Sequence, residues 1–234
     1  MALPFFYIAE YDDQPVIELD EETSRHIGQV LRMHTGESVN LTNGKGLLLT
    51  CSVSEVHKKS CTVKVLQKTE MPPPARRISI AISLVKNSNR FEWFLEKVTE
   101  IGVSEIIPLL CERTERDKFR HDRMNAICIS AMLQSQQCWL PLLREPLAFS
   151  TLVAGAAPEM RYIAHCEEGQ PKQSLSAQES AGTSAMILIG PEGDFSPKEI
   201  TAALDHGFIP VSLGDTRLRT ETAGVVAAAL LKAG

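Results

Sequence analysis

The sequence predicts an α/β protein in which a small, mostly β-stranded barrel precedes a larger domain with a mostly parallel sheet. Short strand patterns dominate the chain before residue 71, whereas strand and helix patterns alternate from residue 78 onward. Between these regions, Pro72, Pro73 and Pro74 lack amide donors and favour a stiff, extended segment. We therefore predict a barrel over residues 1–70, a proline-rich linker over 71–77 and a second domain over 78–234.

The predicted barrel combines several short strands with one helix. The strand candidates are apolar or β-branched runs bounded by short turns: Phe5–Ala9, Val16–Leu19, Ser38–Thr42, Leu47–Val56 and Cys61–Leu66. A helix is predicted over Glu22–Met33, where Ile27, Val30 and Leu31 share one face. The string Asn43-Gly44-Lys45-Gly46 lies between two strand candidates and indicates a hairpin turn.

The second domain alternates strands and helices. Its predicted strands are Ile78–Leu84, Glu105–Leu110, Met160–His165, Ala185–Gly190 and Pro210–Leu213. Its predicted helices are Asn89–Ile101 with Gly102 as its end, Arg123–Cys138, one that starts at the capping string Ser196-Pro197-Lys198-Glu199, and an Ala-rich helix from about Glu221. The polar stretch Glu167–Thr183 is predicted as a loop. Ligands of such sheets bind beyond the carboxyl ends of the strands.

The charge distribution permits a nucleic-acid partner without demanding one. A net charge of −5 argues against a protein that coats nucleic acid indiscriminately. Between residues 23 and 70, however, seven Lys or Arg residues face only three Asp or Glu residues. RNA would therefore meet local basic surface in the first half of the chain.

The cysteines and the apolar runs indicate a cytoplasmic protein. The six cysteines are scattered without a Cys-x-x-Cys pair, which favours buried thiols in a reducing compartment over a metal or disulfide site. The longest apolar run, Ala223–Leu231, is too short to span a bilayer, and the first residues lack a basic leader. We expect no metal and no membrane association.

Two bends that follow predicted strands are the candidate site. Gly190-Pro191-Glu192-Gly193 follows one buried strand, and Leu213-Gly214 opens a polar cluster after another. Glycine has no Cβ, so its backbone can approach a ligand closely. Both bends could instead be ordinary strand-to-helix turns, with Arg219 and Glu221 as helix-end charges. Neither a phosphate-binding P-loop nor a dinucleotide fingerprint is present in the sequence.

Four ordered strings resemble the ribosomal small-subunit RNA methyltransferase E family. They cover most of the chain and comprise Gly190-Pro191-Glu192-Gly193; Leu213-Gly214 with Leu218-Arg219-Thr220-Glu221-Thr222-Ala223; Lys97 to Pro108 with Glu112-Arg113-Thr114; and Arg25-His26-Ile27 through Gly46. The resemblance implies a PUA-like RNA-binding barrel and a SPOUT catalytic domain with a C-terminal trefoil knot. It also implies a homodimer that uses S-adenosylmethionine to methylate uridine N3 in small-subunit (16S) ribosomal RNA.

By this resemblance the cofactor is held by the two bends and by the end of the preceding strand. The implied cofactor-binding residues are Leu188, Ile189, Gly190, Pro191, Glu192, Gly193, Leu213, Gly214, Leu218, Arg219, Thr220, Thr222, Ala223 and, as a third wall, His165. Three positions depart from the family pattern, and one of them is Arg217, which stands where an apolar residue is common. Asp194 stands where glycine is usual, and we expect it to be tolerated near a helix N-terminus. Gln137 stands where an arginine is common.

The catalytic hypothesis follows from the chemistry of uracil. N3 carries a proton and is a poor nucleophile until that proton leaves. We expect Arg219 to neutralise the negative charge that develops on the uracil oxygens, and Glu221 to orient the loop or accept the proton. RNA contacts are expected from Arg25, Arg32, Lys45 and Arg90.

Three other functions fit the same patterns. One is a SPOUT enzyme for another RNA such as tRNA, although Asn87-Ser88-Asn89-Arg90 lacks the glycine typical of its ribose-methylating branch. Another is a non-catalytic RNA-binding factor for ribosome assembly. A small-molecule α/β enzyme is the third, and the barrel and the basic first half argue against it.

Overall fold

The chain forms two compact units. The structure is a computed structural model that describes residues 3–57, 60–115, 118–167, 171–177 and 183–233. The first unit comprises Met1–Pro73 and Met132–Leu140, and the second comprises Pro74–Ala131 and Pro141–Gly234. The first division thus falls inside the predicted proline-rich linker, and a short later segment returns to the first unit.

The first unit is built on a curled five-stranded sheet that forms a half-barrel. Its strands are β1 (Phe5–Tyr7), β2 (Val16–Leu19), β3 (Ser38–Thr42), β4 (Leu47–Val56) and β5 (Cys61–Glu70), in the order β1-β3-β4-β5-β2. All pairs are antiparallel except β1 with β3. Side chains along β4 alternate between buried and half-buried as far as Ser54, so one face of the sheet covers the core. Strand β5 continues past the predicted end because its last residues still pair with β4, up to Glu70 opposite Leu47.

The predicted helix over Glu22–Met33 is wrong, because this segment does not form one regular α-helix. Helix α1 spans only Glu21–Arg25, capped by the Asp20 side chain, which accepts from the Thr23 amide at 2.7 Å. A π-helical turn, His26–Val30, follows. This wider turn breaks the predicted apolar face: Ile27 is fully buried, whereas Val30 is 66% exposed and Leu31 41%.

The predicted hairpin turn at Asn43–Gly46 is confirmed, and a distant segment holds it. Gly44 and Gly46 have φ values of 69° and 90°, which favour glycine. Their backbones exchange hydrogen bonds with residues 138–140, from Gly46 N to Cys138 O and from Leu140 N to Gly44 O, both 2.8 Å. A Cβ on Gly46 would lie 2.4 Å from the Trp139 ring. Helix α3 (His121–Gln134) therefore ends before the predicted Cys138, because the following residues pack on this turn.

The second unit contains a sheet in which every described strand pair is parallel. Its strands are β6 (Arg77–Ser83), β7 (Glu105–Leu110), β8 (Leu142–Leu143), β9 (Leu147–Ala148), β10 (Met160–Ala164), β11 (Gln173–Ser174), β12 (Ser184–Ile189) and β13 (Ile209–Ser212). Their order is β11-β13-β10-β12-β6-β7-β8, and β9 also pairs with β7. The predicted α/β class with a mostly parallel sheet is confirmed.

The helices of this unit begin and end where local chemistry favours it. They are α2 (Ser88–Ile101), most of α3, α4 (Phe149–Gly155), α5 (Pro197–Asp205) and α6 (Thr220–Ala233). Gly102 ends α2 at φ 86°, as predicted. The predicted capping box of α5 is present: Glu199 N donates to Ser196 Oγ at 3.4 Å, and Ser196 N donates to Glu199 Oε2 at 2.9 Å.

Several short elements differ from prediction. Strands β8 and β9 and helix α4 were not predicted, because runs of two to seven residues carry little periodicity. The predicted loop Glu167–Thr183 is wrong at β11 and at a 3₁₀ turn, Leu175–Ala177. Residues 168–170 and 178–182 of that loop lie outside the described residues. The trefoil knot stays a prediction. None of the described helices combines the length and the apolar character needed to cross a bilayer.

Candidate functional site

Three strands of the second unit end level with one another at one edge of the sheet. Strand β10 lies between β12 and β13, and Ala164 pairs with Ile189 on one side and Val211 on the other. The segments that follow these strands therefore leave the sheet side by side. These segments carry His165, the bend at Gly190–Gly193 and the bend at Leu213-Gly214. The structure therefore brings together the three segments that were predicted to bind the cofactor.

A side-chain hydrogen bond joins the first bend to the start of α6. Thr220 Oγ1 donates to Gly190 O at 3.0 Å, and Thr220 is buried. The two glycine bends differ in their surroundings. A Cβ on Gly190 would lie 3.1 Å from the Phe195 ring, so the missing Cβ makes room for a core side chain. A Cβ on Gly214, whose φ is 139°, would meet nothing within 4 Å in the described chain.

The other predicted cofactor residues divide into core and surface positions. Leu188 and Ile189 are buried in β12, so their side chains belong to the core and only their backbone can reach a ligand. Pro191 is also buried, whereas Glu192 and Gly193 are exposed. The half-buried members of the set line the second bend and the first turn of α6, and are Leu213, Leu218, Thr222 and Ala223.

His165 is a buried polar side chain with no hydrogen-bond partner among the described residues. It is 7% exposed, and both Nδ1 and Nε2 lack such a partner. Burial lowers the pKa of His165 below its ordinary value of 6.5, and Lys172 acts in the same direction, whereas Asp194 and Glu167 oppose it. A buried imidazole with two unsatisfied nitrogens is energetically unfavourable, so it suits a position that a polar ligand contacts.

Asp194 links the first bend to the end of β10. Its φ is 63°, a left-handed conformation that glycine adopts freely. The carboxylate accepts two backbone amides, Oδ1 from Phe195 N at 2.8 Å and Oδ2 from Cys166 N at 2.7 Å. These two bonds help to accommodate Asp194 at this position, two residues before the N-cap of α5.

The first bend is also held from the neighbouring strands, by residues to which sequence reasoning gave no role. Arg113, just past β7, donates from Nη1 to Gly193 O at 2.7 Å. Lys86 N, past β6, donates to the Glu192 carboxylate at 3.1 Å, and Glu112 N donates to Glu199 Oε1 at 2.8 Å. Their place in the sequence could have identified them, because all of these donors follow the carboxyl ends of predicted parallel strands.

The two catalytic candidates lie in different environments. Glu221 is buried, and its Oε1 lies 3.7 Å from Arg90 Nε. Arg90, a predicted RNA contact, thus pairs with the predicted catalytic carboxylate, although its side chain remains 42% exposed. Arg219 is exposed, and in the part of the chain described its guanidinium has no hydrogen-bond or ion-pair partner.

The remaining RNA candidates lie on the first unit. Arg25 ends α1 and pairs with Glu21 at 3.0 Å, with both side chains more than half exposed. Arg32 is exposed just after the π-helical turn, at φ 53°, and Lys45 is exposed in the hairpin turn. Gln137 donates to Ser135 Oγ at 2.8 Å, next to the segment that holds this turn. Among the described residues no group of His, Cys, Asp or Glu could hold a metal ion.

Comparisons with known proteins agree with this architecture. A family model described as an RNA methyltransferase domain matches residues 72–232, and one described as an RNA methyltransferase PUA domain matches residues 19–66. A ribosomal RNA small subunit methyltransferase E from Synechocystis sp. is 29% identical over 100% of this chain and 78% of the relative.

Solved structures give the same result. The crystal structure of a probable rRNA-methyltransferase from Porphyromonas gingivalis is 40% identical, with a TM-score of 0.91 and 99% of each chain covered. That of a ribosomal RNA small subunit methyltransferase E from Neisseria gonorrhoeae, bound to S-adenosyl methionine, is 26% identical. It has a TM-score of 0.88 and covers 99% of this chain and 98% of that one.

Proposed function

Because the chain belongs to the RNA methyltransferase family, we propose that it methylates uridine N3 in 16S ribosomal RNA, with S-adenosylmethionine as the methyl donor. The donor supplies an electrophilic methyl group on a sulfonium sulfur. Everything else, namely holding the donor, presenting the uracil and removing its proton, falls to residues of the chain.

The observation that carries this proposal is the level ending of β10, β12 and β13, with Thr220 bonded to Gly190. Three segments that leave one sheet edge side by side offer backbone donors and acceptors to a single ligand. The open space at Gly214 and the unpartnered His165 ring fit a polar cofactor there. We assign cofactor binding to the ring of His165 and to the backbone of residues 188–193, 213–214, 218–220 and 222–223, so the Arg219 side chain is left for the uracil.

Arg219 and Glu221 take separate parts in the proposed reaction. Loss of the N3 proton places negative charge on the uracil ring and its carbonyl oxygens. The guanidinium of Arg219 can neutralise that charge. It has no ion pair with another described residue that would have to break first. Glu221 forms an ion pair with Arg90 at 3.7 Å, and it either orients the first turn of α6 or accepts the N3 proton.

Alignment of donor and acceptor is the larger contribution. Correct alignment of two bound reactants supplies about 7–11 kcal/mol of the barrier, and a positioned acid or base typically ~10²–10⁴-fold in rate. We therefore expect Arg219→Ala to lower kcat by about 10²-fold while S-adenosylmethionine binding stays intact. Glu221→Gln keeps the shape of the side chain but cannot accept a proton, so kcat should fall less than in Arg219→Ala if Glu221 only orients α6, and by about 10²-fold or more if it accepts the proton.

Arg217→Ala is the matched control for Arg219→Ala. Arg217 is an exposed arginine of the same bend to which no role is assigned. Single-turnover rates and cofactor calorimetry on the three variants distinguish the roles. Wild-type rates in both Arg219→Ala and Glu221→Gln would remove these two residues from the mechanism.

The first unit is proposed to bind the RNA. Arg25, Arg32 and Lys45 are exposed there, and Arg90 adds a charge from the second unit. Affinity for ribosomal RNA should fall steeply with salt, and Lys45→Ala and Arg32→Ala should each reduce the slope of log affinity against log salt by about one. Lys64→Ala, an exposed lysine on β5, is the control. A nearly salt-independent affinity would contradict this assignment.

The remaining parts of the proposal concern organisation. We propose that residues 1–70 act as the RNA-binding PUA-like domain and residues 78–234 as the SPOUT catalytic domain, joined through 71–77. We further propose that the protein works in the cytoplasm as a homodimer, as the family resemblance implies. Sedimentation at micromolar concentration tests the dimer, and a monomer that methylates at full rate would refute it.

One experiment decides between this function and its alternatives. The full chain is incubated with labelled S-adenosylmethionine and small ribosomal subunits that lack the modification, and the product is mapped by mass spectrometry. We expect one methyl group on N3 of one uridine in 16S RNA. Methylation of tRNA instead would identify a different substrate, and cofactor binding without transfer to any RNA would identify a non-catalytic factor.

A further inference from the structure

Asp194 has a backbone conformation that its residue type does not favour. Its φ of 63° lies in the left-handed region, which costs energy for most residues with a Cβ, although Asp tolerates it better than bulkier residues. Among the described residues of the second unit, Asp194 is the only one other than glycine with a positive φ. Such a conformation persists where the surrounding contacts hold it in place.

Both carboxylate oxygens of Asp194 are used. Oδ1 closes a local turn by accepting from Phe195 N at 2.8 Å, and Oδ2 accepts from Cys166 N at 2.7 Å, across 28 positions of sequence. Hydrogen bonds from amides to a carboxylate are short and strong. The second bond reaches a segment that the sheet no longer holds, since the pairing of β10 with β12 ends at Ala164 and Ile189.

His165 lies between these two anchors. On one side Ala164 is fixed in the sheet, and on the other Cys166 is fixed by Asp194. The ring of His165 is buried with two unpartnered nitrogens. Because its neighbours on both sides are tied down, the backbone of His165 cannot turn the ring away into solvent without breaking one of the two attachments.

We propose that Asp194 is a positioning residue. Its carboxylate clamps the His165-Cys166 segment to the bend after β12, and so sets one wall of the cofactor pocket before the cofactor arrives. This inference rests on the proposed function, because the pocket is the one assigned there. Asp194 itself contacts the wall and need not touch the methyl donor.

Asp194→Gly and Asp194→Asn separate the clamp from the backbone strain. Glycine accepts φ 63° without strain and removes both acceptors. Asparagine also tolerates this conformation, but its amide has one acceptor oxygen, so it satisfies only one of the two amides. Asp205→Asn is the matched control, because it removes the same charge at the far end of α5, where the side chain is exposed.

The clamp can be measured on the full chain without cofactor. Hydrogen exchange of the Cys166 amide reports the bond directly, and alkylation of its thiol reports the mobility of the segment. The thiol reagent is selective, since Cys166 is exposed and the other five cysteines are buried. Burial also raises the pKa of those five thiols, which slows their reaction further.

In Asp194→Gly we expect the Cys166 amide to exchange at least about tenfold faster and the thiol to react severalfold faster. The Kd for S-adenosylmethionine should rise about tenfold and KM with it, while kcat stays within about twofold. Asp194→Asn should fall between Asp194→Gly and wild type, and Asp205→Asn should match wild type. Melting curves confirm that each variant is folded.

The outcomes are distinct. Unchanged exchange and alkylation in Asp194→Gly would overturn the clamp. Faster exchange with an unchanged cofactor Kd would overturn its positioning role, because the segment would then move without affecting the pocket. If the wild-type chain bound no S-adenosylmethionine, the proposed function would fail, whereas the exchange rates would still decide whether Asp194 holds the segment.

Discussion

The hydrogen bond from Thr220 to Gly190 O joins the first bend to the start of α6, and Thr220→Val removes it with little change in shape. The bond is buried and 3.0 Å long. Valine cannot donate, so the Gly190 carbonyl is left without this partner in a buried setting. Loss of such a bond lowers the free energy of unfolding by about 1–3 kcal/mol when the remaining group stays unsatisfied. The start of α6 is then held less firmly against the first bend.

Unfolding in urea and calorimetry with S-adenosylmethionine measure the two consequences separately. We expect the free energy of unfolding to fall by about 1–3 kcal/mol and cofactor affinity to fall about five- to tenfold. Thr220→Ser keeps the hydroxyl and should restore most of the affinity. Thr201→Val, at an exposed position of α5, should change neither quantity. Equal affinities for Thr220→Val and Thr220→Ser would refute the reasoning that this hydroxyl joins the first bend to the start of α6.

Three further predictions concern the surroundings of the site. Gly224→Ala places a Cβ 2.5 Å from Phe94 Cε2, so α6 must shift, and thermal unfolding should show a loss of stability of about 1–3 kcal/mol. The control Gly155→Ala, whose Cβ would meet nothing within 4 Å, should not destabilise the protein. Burial lowers the pKa of His165, so the unfolded chain binds this proton first as pH falls below about 6.5, and wild-type stability should drop there. Urea unfolding of His165→Gln should lack that drop, and an equal drop would contradict the assignment. Arg113→Met removes the donor to Gly193 O and should weaken cofactor binding severalfold by calorimetry, with Arg144→Met as an exposed control.

Most of the fold could be predicted from the sequence where turn residues bound a strand or capping residues bound a helix. The predicted strands Val16–Leu19, Ser38–Thr42, Leu47–Val56 and Glu105–Leu110 have the observed bounds. The capping box of α5 and the Gly102 end of α2 are confirmed, because each is a local hydrogen-bond pattern written in a few residues. The end of α3 was mispredicted because it depends on contacts between residues 138–140 and the distant turn at Gly44 and Gly46.

The candidate site could be predicted only as far as its location. Strand ends followed by glycine identify the bends, and the parallel sheet explains why they meet. The supporting bonds could not be predicted. That Asp194 reaches Cys166, or that Arg113 reaches Gly193 O, depends on the order of strands in the sheet, and local patterns do not contain that order.

The site combines a backbone held by hydrogen bonds with the exposed guanidinium of Arg219. The bend at Gly190–Gly193 accepts hydrogen bonds from Thr220, from Arg113 and from the backbone amide of Asp194, and all three exist before any ligand binds. A ligand that bonds to this backbone therefore pays little conformational entropy. Arg219 is exposed and has no ion-pair partner in the described chain, so its side chain can move toward the uracil when the RNA binds. Variants of the bend should consequently act on cofactor affinity, whereas variants of Arg219 should act on the rate after both reactants are bound.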